Sequence, residues 1–403
     1  MTYPIHVLLL DTGKEWGGGT NSMLEWLRRR SPDKFHVTCV FYRNYARGGD
    51  ALTIEAAVRA AGANFLLLPQ RKQPLWAKLA KELLRGVLHF TPKLRAAAIQ
   101  RIESIWRIRP AAQALTGLLK ECKPDILYMN NSPVSNYEGY LAAREIGMPV
   151  VQHCRTLPKL DGKIVRLVNE TASRVLAVSD SVVDALHQQG VIQDKINLLY
   201  NGIDLSQPLP TPVDISKKLG IPCGQTVIVC IAALLPRKGV ADVIRGLSLL
   251  DFPAHLIILG DGPQRGELEA LSVTLGLSAR VHFLGFVPEP LPWIAASDLL
   301  VLASESEGLG RVLLEAMFVQ KPVVASNVSG VRDVVVHKKT GLLFSYGQVD
   351  MLAESLTVLL GNPRLLQEYG QAGKQRVRRK FNIENYANGV SAVLSEVAAA
   401  HKP

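Results

Sequence analysis

Short apolar runs alternate with amphipathic stretches along almost the whole chain. IHVLLL (5–10), HVTCVFY (36–42), NFLLLP (64–69), DILYMN (125–130), PVVQHC (149–154) and RVLAVS (174–179) are rich in β-formers and bounded by turn residues. They predict strands. NSMLEWLRRR (21–30), TIEAAVRAAG (53–62), NYEGYLAAREIG (136–147) and SDSVVDALHQQG (179–190) repeat apolar residues at helical spacing. Strand then helix, repeated, predicts βαβ units and a parallel sheet covered on both faces.

The pattern breaks after Tyr200. Residues 205–222 hold Pro208, Pro210, Pro212 and Pro222, a linker composition. The alternation then restarts with TVIVCIAAL (226–234), HLIILG (255–260), RVHFLG (280–285), LLVLAS (299–304), PVVAS (322–326) and GLLF (341–344), interleaved with helical patterns. This predicts a second doubly wound domain. The expected division is 1–199 and 200–379, with a basic helical tail from Arg364 to the C-terminus that holds KQRVRRKF (374–381). Ligands of such sheets bind at the carboxyl ends of the strands, and with two domains the natural site is a cleft between them.

At 403 residues, 48% hydrophobic and 20% charged, the chain is long and apolar enough for two globular domains. No apolar run is long enough to span a bilayer. MTYPIHVLLLDTG reads as a first strand rather than a signal peptide. Cys39, Cys122, Cys154, Cys223 and Cys230 lack CxxC spacing, which fits a reducing cytoplasm and suggests no metal site.

The net charge of +11 is uneven. Residues 71–109 carry ten Lys or Arg against two acids, Glu82 and Glu103, together with Leu75, Trp76, Leu79, Leu83, Leu84, Val87, Leu88, Phe90, Ile105 and Trp106. A basic amphipathic stretch with tryptophans suits an anionic membrane surface. A solvated helix face over an ordinary buried side has the same composition. No nucleic-acid-binding module is present, so nucleic acid is not expected as a partner.

Four places carry candidate chemistry. In DTGKEWGGGTNSMLEWL, Gly17, Gly18 and Gly19 follow the first strand and would let backbone approach a phosphate or sugar. Three glycines also suit a plain flexible loop. Arg237 and Lys238 follow the first strand of the second half, well placed for a diphosphate. Exposed turn charges are the plain alternative. His153 ends a strand, with Arg155 two residues on. It is a candidate for substrate contact, though a lone His is more often structural. EGLGRVLLE places Glu307 and Glu315 eight residues apart. One helix through both would put them near one face. Gly308 and Gly310 are better read as breaking the first turn and leaving N–H groups at a helix N-terminus, which attracts phosphate. That layout suits a ligand with both hydroxyls and phosphates, such as a nucleotide sugar. HLIILGDGPQRGEL approaches a dinucleotide fingerprint, but its last glycine is one residue late and Pro263 sits in the turn. It reads as a strand-to-helix turn lining the cleft rather than a dinucleotide site.

These blocks together resemble the retaining GT-B-fold glycosyltransferases of family 4. NGID (201–204), RKG (237–239), GDGP (260–263), FLGF (283–286), SESEGLGRVLLEAM (304–317) and SGVRDVVVHKKTGLLF (329–344) fall in family order and spacing over roughly 200–345. The first half matches more loosely, through the glycine turn and His153. The resemblance implies an α/β GT-B fold of two Rossmann-like domains, with the last helix (within 380–403) crossing back to the first. It implies that Glu315 bonds the donor ribose and that Glu307 lies at the transferred sugar. Backbone at Gly308, Leu309 and Gly310, next to Val312, would hold hydroxyls and phosphate. Arg237 and Lys238 would neutralise the diphosphate in place of a metal, so no metal or other cofactor is expected. Gly18 and Gly19 would approach the diphosphate or acceptor, His153 would contact the donor sugar, and Phe286 and Val287 would line the base pocket. Relatives often carry Arg five residues before the Lys; here that position is Ala233, and Arg237 is the substitute.

The expected reaction is transfer of a hexose from a nucleoside diphosphate sugar, UDP favoured over GDP, to a glycan or lipid-linked acceptor hydroxyl. The expected setting is envelope polysaccharide or lipopolysaccharide synthesis, on the cytoplasmic face of the membrane. An epimerase acting on the same nucleotide sugars, or a non-catalytic binder of them, are the alternatives.

Overall fold

The computed structural model describes residues 3–13, 16–46, 52–87, 89 and 91–401, without the side chains of residues 92, 93 and 97. Leu88 and Phe90, counted above in the basic segment, lie outside the described residues. The chain forms two compact units. The first comprises Met1–Ala177, Ala185–Asn197 and Ala387–Pro403; the second comprises Val178–Asp184 and Leu198–Tyr386.

In the first unit, seven strands run β1 (Ile5–Asp11), β2 (Phe35–Phe41), β3 (Asn64–Leu67), β4 (Ile126–Met129), β5 (Val150–Cys154), β6 (Ala172–Ala177) and β7 (Ile196–Leu198). Their order across the sheet is β3-β2-β1-β4-β5-β6-β7. The described pairings of β1 through β6 are all parallel. Val7, Leu8, Leu9 and Leu10 are fully buried, as a strand covered on both faces requires. The last helix, Ile383–Ala400, contributes its later residues to this unit, where Trp26 Nε1 donates to Ser391 Oγ at 3.1 Å.

The second unit has six strands: β8 (Thr226–Ile231), β9 (Ala254–Leu259), β10 (Val281–Phe283), β11 (Leu299–Leu302), β12 (Val323–Ser326) and β13 (Gly341–Phe344). They are ordered β10-β9-β8-β11-β12-β13, and all are parallel. Successive residues point to opposite faces. Val227, Val229, Ile257 and Leu300 therefore build one core, while Ile228, Cys230, Ile258 and Val301 build the other.

In each sheet the strand order reverses beside the first strand, between β1 and β4 and between β8 and β11. Loops after those strands diverge to opposite faces and leave a crevice at the carboxyl edge. The glycine turn follows β1, Arg237 and Lys238 follow β8, and Glu307 follows β11.

The basic segment of the first unit is not one continuous element. It forms helices Leu75–Val87 and Pro92–Glu103, then a single π-helical turn, Ser104–Ile108. Among the described residues no helix is long and apolar enough to cross a membrane.

Candidate active site

After β8 the second unit's chain makes the tight turn Pro236–Lys238 and enters helix Val240–Ser248 through Gly239. Gly239 has φ +63°, and a Cβ there would lie 2.1 Å from the carbonyl oxygen of Ala303 at the end of β11. Only glycine allows this approach. The loops after β8 and β11 are further joined by the Glu305 N–H, which donates to the Arg237 carbonyl at 2.8 Å.

This approach brings the predicted residues together. Lys238 Nζ lies 2.5 Å from Glu307 Oε1, and Ser304 Oγ donates to the same oxygen at 2.7 Å. Ser304 is fully buried, and its carbonyl accepts from Ser326 Oγ of β12 at 2.6 Å. Behind the carboxylate loop stands Gly330, with φ +79°. A Cβ on it would meet the carbonyl oxygens of Glu307 and Gly308 at 2.4 and 2.6 Å. The Gly330 N–H in turn donates to Ser181 Oγ at 3.2 Å.

The helix Arg311–Phe318 starts from Gly310, whose φ is +72°. Glycines 308 and 310 thus break the stretch as expected, and the helix N-terminus opens beside Glu307 with its positive dipole end. Leu309 is buried in the core and Val312 packs against it. They anchor the turn. Glu315, one turn into the helix, accepts from Arg311 Nε at 3.2 Å.

Both glutamates carry a cation: Lys238 holds Glu307, and Arg311 holds Glu315. The reason is desolvation. The Lys238 and Glu307 side chains are only 15% and 14% exposed, and charges so poorly hydrated are held by opposite charge. Arg237 is exposed on the turn and forms no ion pair among the described residues.

The GDGP turn does supporting work. Gly260 and Gly262 have φ +148° and +158°, and a Cβ on either would strike the carbonyl oxygens of Ala232 or Leu234, at 1.9 and 2.6 Å. Their turn packs flat on the segment leading to Arg237, and the Leu234 N–H donates to the Asp261 carbonyl at 2.9 Å. Phe286 is 45% exposed beyond Gly285, while the neighbouring Val287 packs on the core.

In the first unit, the glycine turn and the His153 strand end also converge at the reversal point. Gly17 precedes the helix Gly18–Arg29, so Gly18 and Gly19 form its first turn. A Cβ on Gly19 would lie 3.5 Å from Arg155 Cγ and 3.6 Å from Asn131 Oδ1, while Gly18 faces open space. Underneath is a network that sequence reasoning missed. Asp11, at the end of β1, is fully buried and accepts from the Gly13 N–H at 2.7 Å, Asn130 Nδ2 at 2.7 Å and Asn131 Nδ2 at 2.8 Å. Arg155 Nε donates to Asn130 Oδ1 at 2.8 Å.

His153 is fully buried, with Nδ1 hydrogen-bonded to the Tyr128 hydroxyl at 2.7 Å. Burial, reinforced by the Arg155 charge, holds its imidazole well below the usual histidine range. Its ring therefore lies within the first unit's interior as a neutral group rather than at the surface; Arg155, two residues on, reaches nearer the glycine turn. Burial likewise pushes the Cys154 and Cys230 thiols up to about 12, which leaves them unreactive.

The sequence pattern of the family described as "Glycosyltransferase Family 4" matches residues 16–207, and that described as "Glycosyl transferases group 1" matches residues 213–376. Over 303 residues the chain is 31% identical to the lipopolysaccharide core biosynthesis glycosyltransferase LpsD of Rhizobium meliloti, covering 75% of this chain and 82% of that one. The chain belongs to the group 1, family 4 glycosyltransferases. The enzyme is thus a hexosyltransferase. It is 28% identical over 237 residues to N-acetyl-alpha-D-glucosaminyl L-malate synthase of Bacillus anthracis, covering 58% of the enzyme and 62% of that relative. Its fold matches the crystal structure of HepE from Anabaena in complex with UDP-glucose, with TM-score 0.77 at 23% identity over 97% of the enzyme and 100% of that chain. The two doubly wound units are therefore those of a GT-B transferase.

Ser304 and Gly330 lay within the recognised blocks, yet nothing in their spacing marks them as partners of Glu307. The Asn130-Asn131 pair directly after a strand was the available signal for the first unit's network.

Proposed function

We propose that the enzyme transfers a hexose from a UDP-sugar to a hydroxyl of an envelope glycan, carried on a lipid, with retention at the anomeric carbon. The observation that carries this reading is the Lys238–Glu307 pair at the strand-order reversal of the second unit, flanked by exposed Arg237 and the helix N-terminus at Gly310. A diphosphate arriving there meets two cations and a positive dipole end, and would draw Lys238 from Glu307 to phosphate. Glu307 is then released to a sugar hydroxyl. Glu315, on the same helix, is assigned to the ribose and Phe286 to the base. The HepE structures with UDP and with UDP-glucose, and the lipopolysaccharide role in the name of LpsD, support the choice of donor and acceptor class.

In the reaction the bond from the anomeric carbon to the diphosphate oxygen breaks, and a bond from the same carbon to the acceptor oxygen forms on the same face. The acceptor proton passes to the departing phosphate. Charge grows on that phosphate, where Arg237, Lys238 and the helix N-terminus stabilise it without a metal in this reading. Glu307 is held on one oxygen by both Lys238 and Ser304, which suits a positioning role rather than attack on carbon. In the first unit, the glycine turn with Arg155 and Asn131 offers donors for an acceptor or phosphate oxygen.

A panel of UDP- and GDP-sugars, scored for nucleoside diphosphate release with and without lipid-linked glycan, tests the reading. Acceptor-dependent release of UDP supports it. Isomerised donor without acceptor would make the enzyme an epimerase instead, and binding without turnover on any glycan would make it a non-catalytic binder.

A further inference from the structure

The helix Leu75–Val87 has an apolar face that the described residues leave exposed. Leu75, Leu79, Leu83 and Val87 recur every four residues and are 78%, 64%, 68% and 78% exposed; Trp76 beside them is 49% exposed. At 100° per residue these five side chains span an arc of about 120°. The arc next to it faces inward. Ala77 is fully buried, and Lys81 pairs with Glu103 at 2.6 Å while lying over the Trp106 ring at 5.7 Å. Trp106, a predicted member of the apolar surface, is therefore a packing residue of the helix pair. The remaining arc carries Lys78, Glu82 and Arg85, of which Arg85 pairs with Glu82. Arg71 and Lys72 precede the helix; they, Lys78 and Arg101 carry no ion pair among the described residues.

One helix thus has an inward arc, a bare apolar arc, and cations along the edge between apolar arc and solvent. A soluble helix needs only two of these three. A contiguous row of exposed leucines is rare on a surface with no partner. The geometry points to an anionic lipid bilayer as that partner. The helix would lie in the plane of the interface with Leu75, Trp76, Leu79, Leu83 and Val87 entering the acyl boundary and the cations at the headgroups. A second copy of the chain fits less well. A two-fold interface on this face would bring Arg71, Lys72 and Lys78 of both copies together, and like charges oppose such contacts. The inference holds whichever sugar is transferred.

Flotation of the full chain with vesicles tests it. With phosphatidylglycerol-containing vesicles at low salt the protein floats; with phosphatidylcholine alone it stays at the bottom; raising the salt lowers the floated fraction. Leu79→Glu with Leu83→Glu lowers the floated fraction at least tenfold while the melting temperature and solution mass stay unchanged, since both side chains are exposed. Trp76 emission shifts to the blue on anionic vesicles, and Trp76→Phe removes that shift. Failure to float on anionic vesicles, or flotation of the double variant equal to that of the parent chain, overturns the inference. So does a change from dimer to monomer in the double variant with flotation unaltered, because a second copy would then be the occupant.

Discussion

The two units of this transferase share a topology but fill the reversal point of the sheet differently. In the first unit the buried charge is a carboxylate, Asp11, held by neutral donors: one backbone N–H and two asparagine side chains. In the second, the carboxylate Glu307 is held by a lysine, and Arg237, which forms no ion pair among the described residues, stands on the same turn. A carboxylate satisfied by amides has no reason to let go. A carboxylate satisfied by a cation can exchange that cation for a hydroxyl when a more strongly charged diphosphate competes for it. The first arrangement is held by neutral donors alone; the second is the one that the proposed donor binding would rearrange.

The largest effect expected from this contrast is on Lys238. Lys238→Ala removes the exchangeable cation and leaves Glu307 with Ser304 alone. The turnover number with donor and acceptor should fall about 10²–10³-fold. Activity within threefold of the parent would mean that Arg237 carries the diphosphate unaided. Next is Gly330→Ala, which must hold a side chain at φ +79° and displace the Glu307 and Gly308 carbonyls. It should cost up to about 3 kcal/mol in stability and reduce activity as well, read by denaturant unfolding and turnover together. Retained activity and stability would show that the loop's position is not fixed from behind.

Asp11→Ala examines the other side of the comparison. Three donors lose their acceptor in the interior, a loss of about 2 kcal/mol in unfolding free energy, while calorimetric affinity for UDP stays within twofold. A matching loss of UDP affinity would break the division of labour between the units.

The smallest effect is on pH dependence, through His153. Its folded pKa is depressed, so the native state keeps it neutral while the unfolded chain takes up a proton below about 6.5. The stability contributed by neutral His153 is present above that pH and is lost as pH falls toward the folded value, by at most about 1.4 kcal/mol per pH unit. The stability gap between the parent chain and His153→Gln should therefore shift against the parent from pH 7 to pH 5.5. A gap independent of pH would show that His153 takes up its proton as readily in the native state as in the unfolded chain.

Much of this was legible in the chain. All strands but β7 follow from apolar runs; β7, Ile196–Leu198, is a three-residue edge strand with no pattern to find. The residues of the second unit's site were legible as types. Their pairing was not, because Lys238 and Glu307 meet only when Gly239 lets the loop after β8 touch the end of β11. The Asp11 network joins residues more than a hundred positions apart, and no local periodicity reports on it. In the basic segment, composition supplied the apolar and cationic residues without saying which were covered. Trp106 was covered and Trp76 was not.

The central claim is that the second unit's reversal point holds the nucleotide through an exchangeable cation. Calorimetric titration of UDP into the parent chain, Lys238→Ala and Glu315→Gln tests it most directly. The account predicts that the parent binds UDP and that each variant binds at least tenfold more weakly, Lys238→Ala through the diphosphate and Glu315→Gln through the ribose. A parent chain that binds no UDP, or variants that bind it as tightly as the parent, would contradict it.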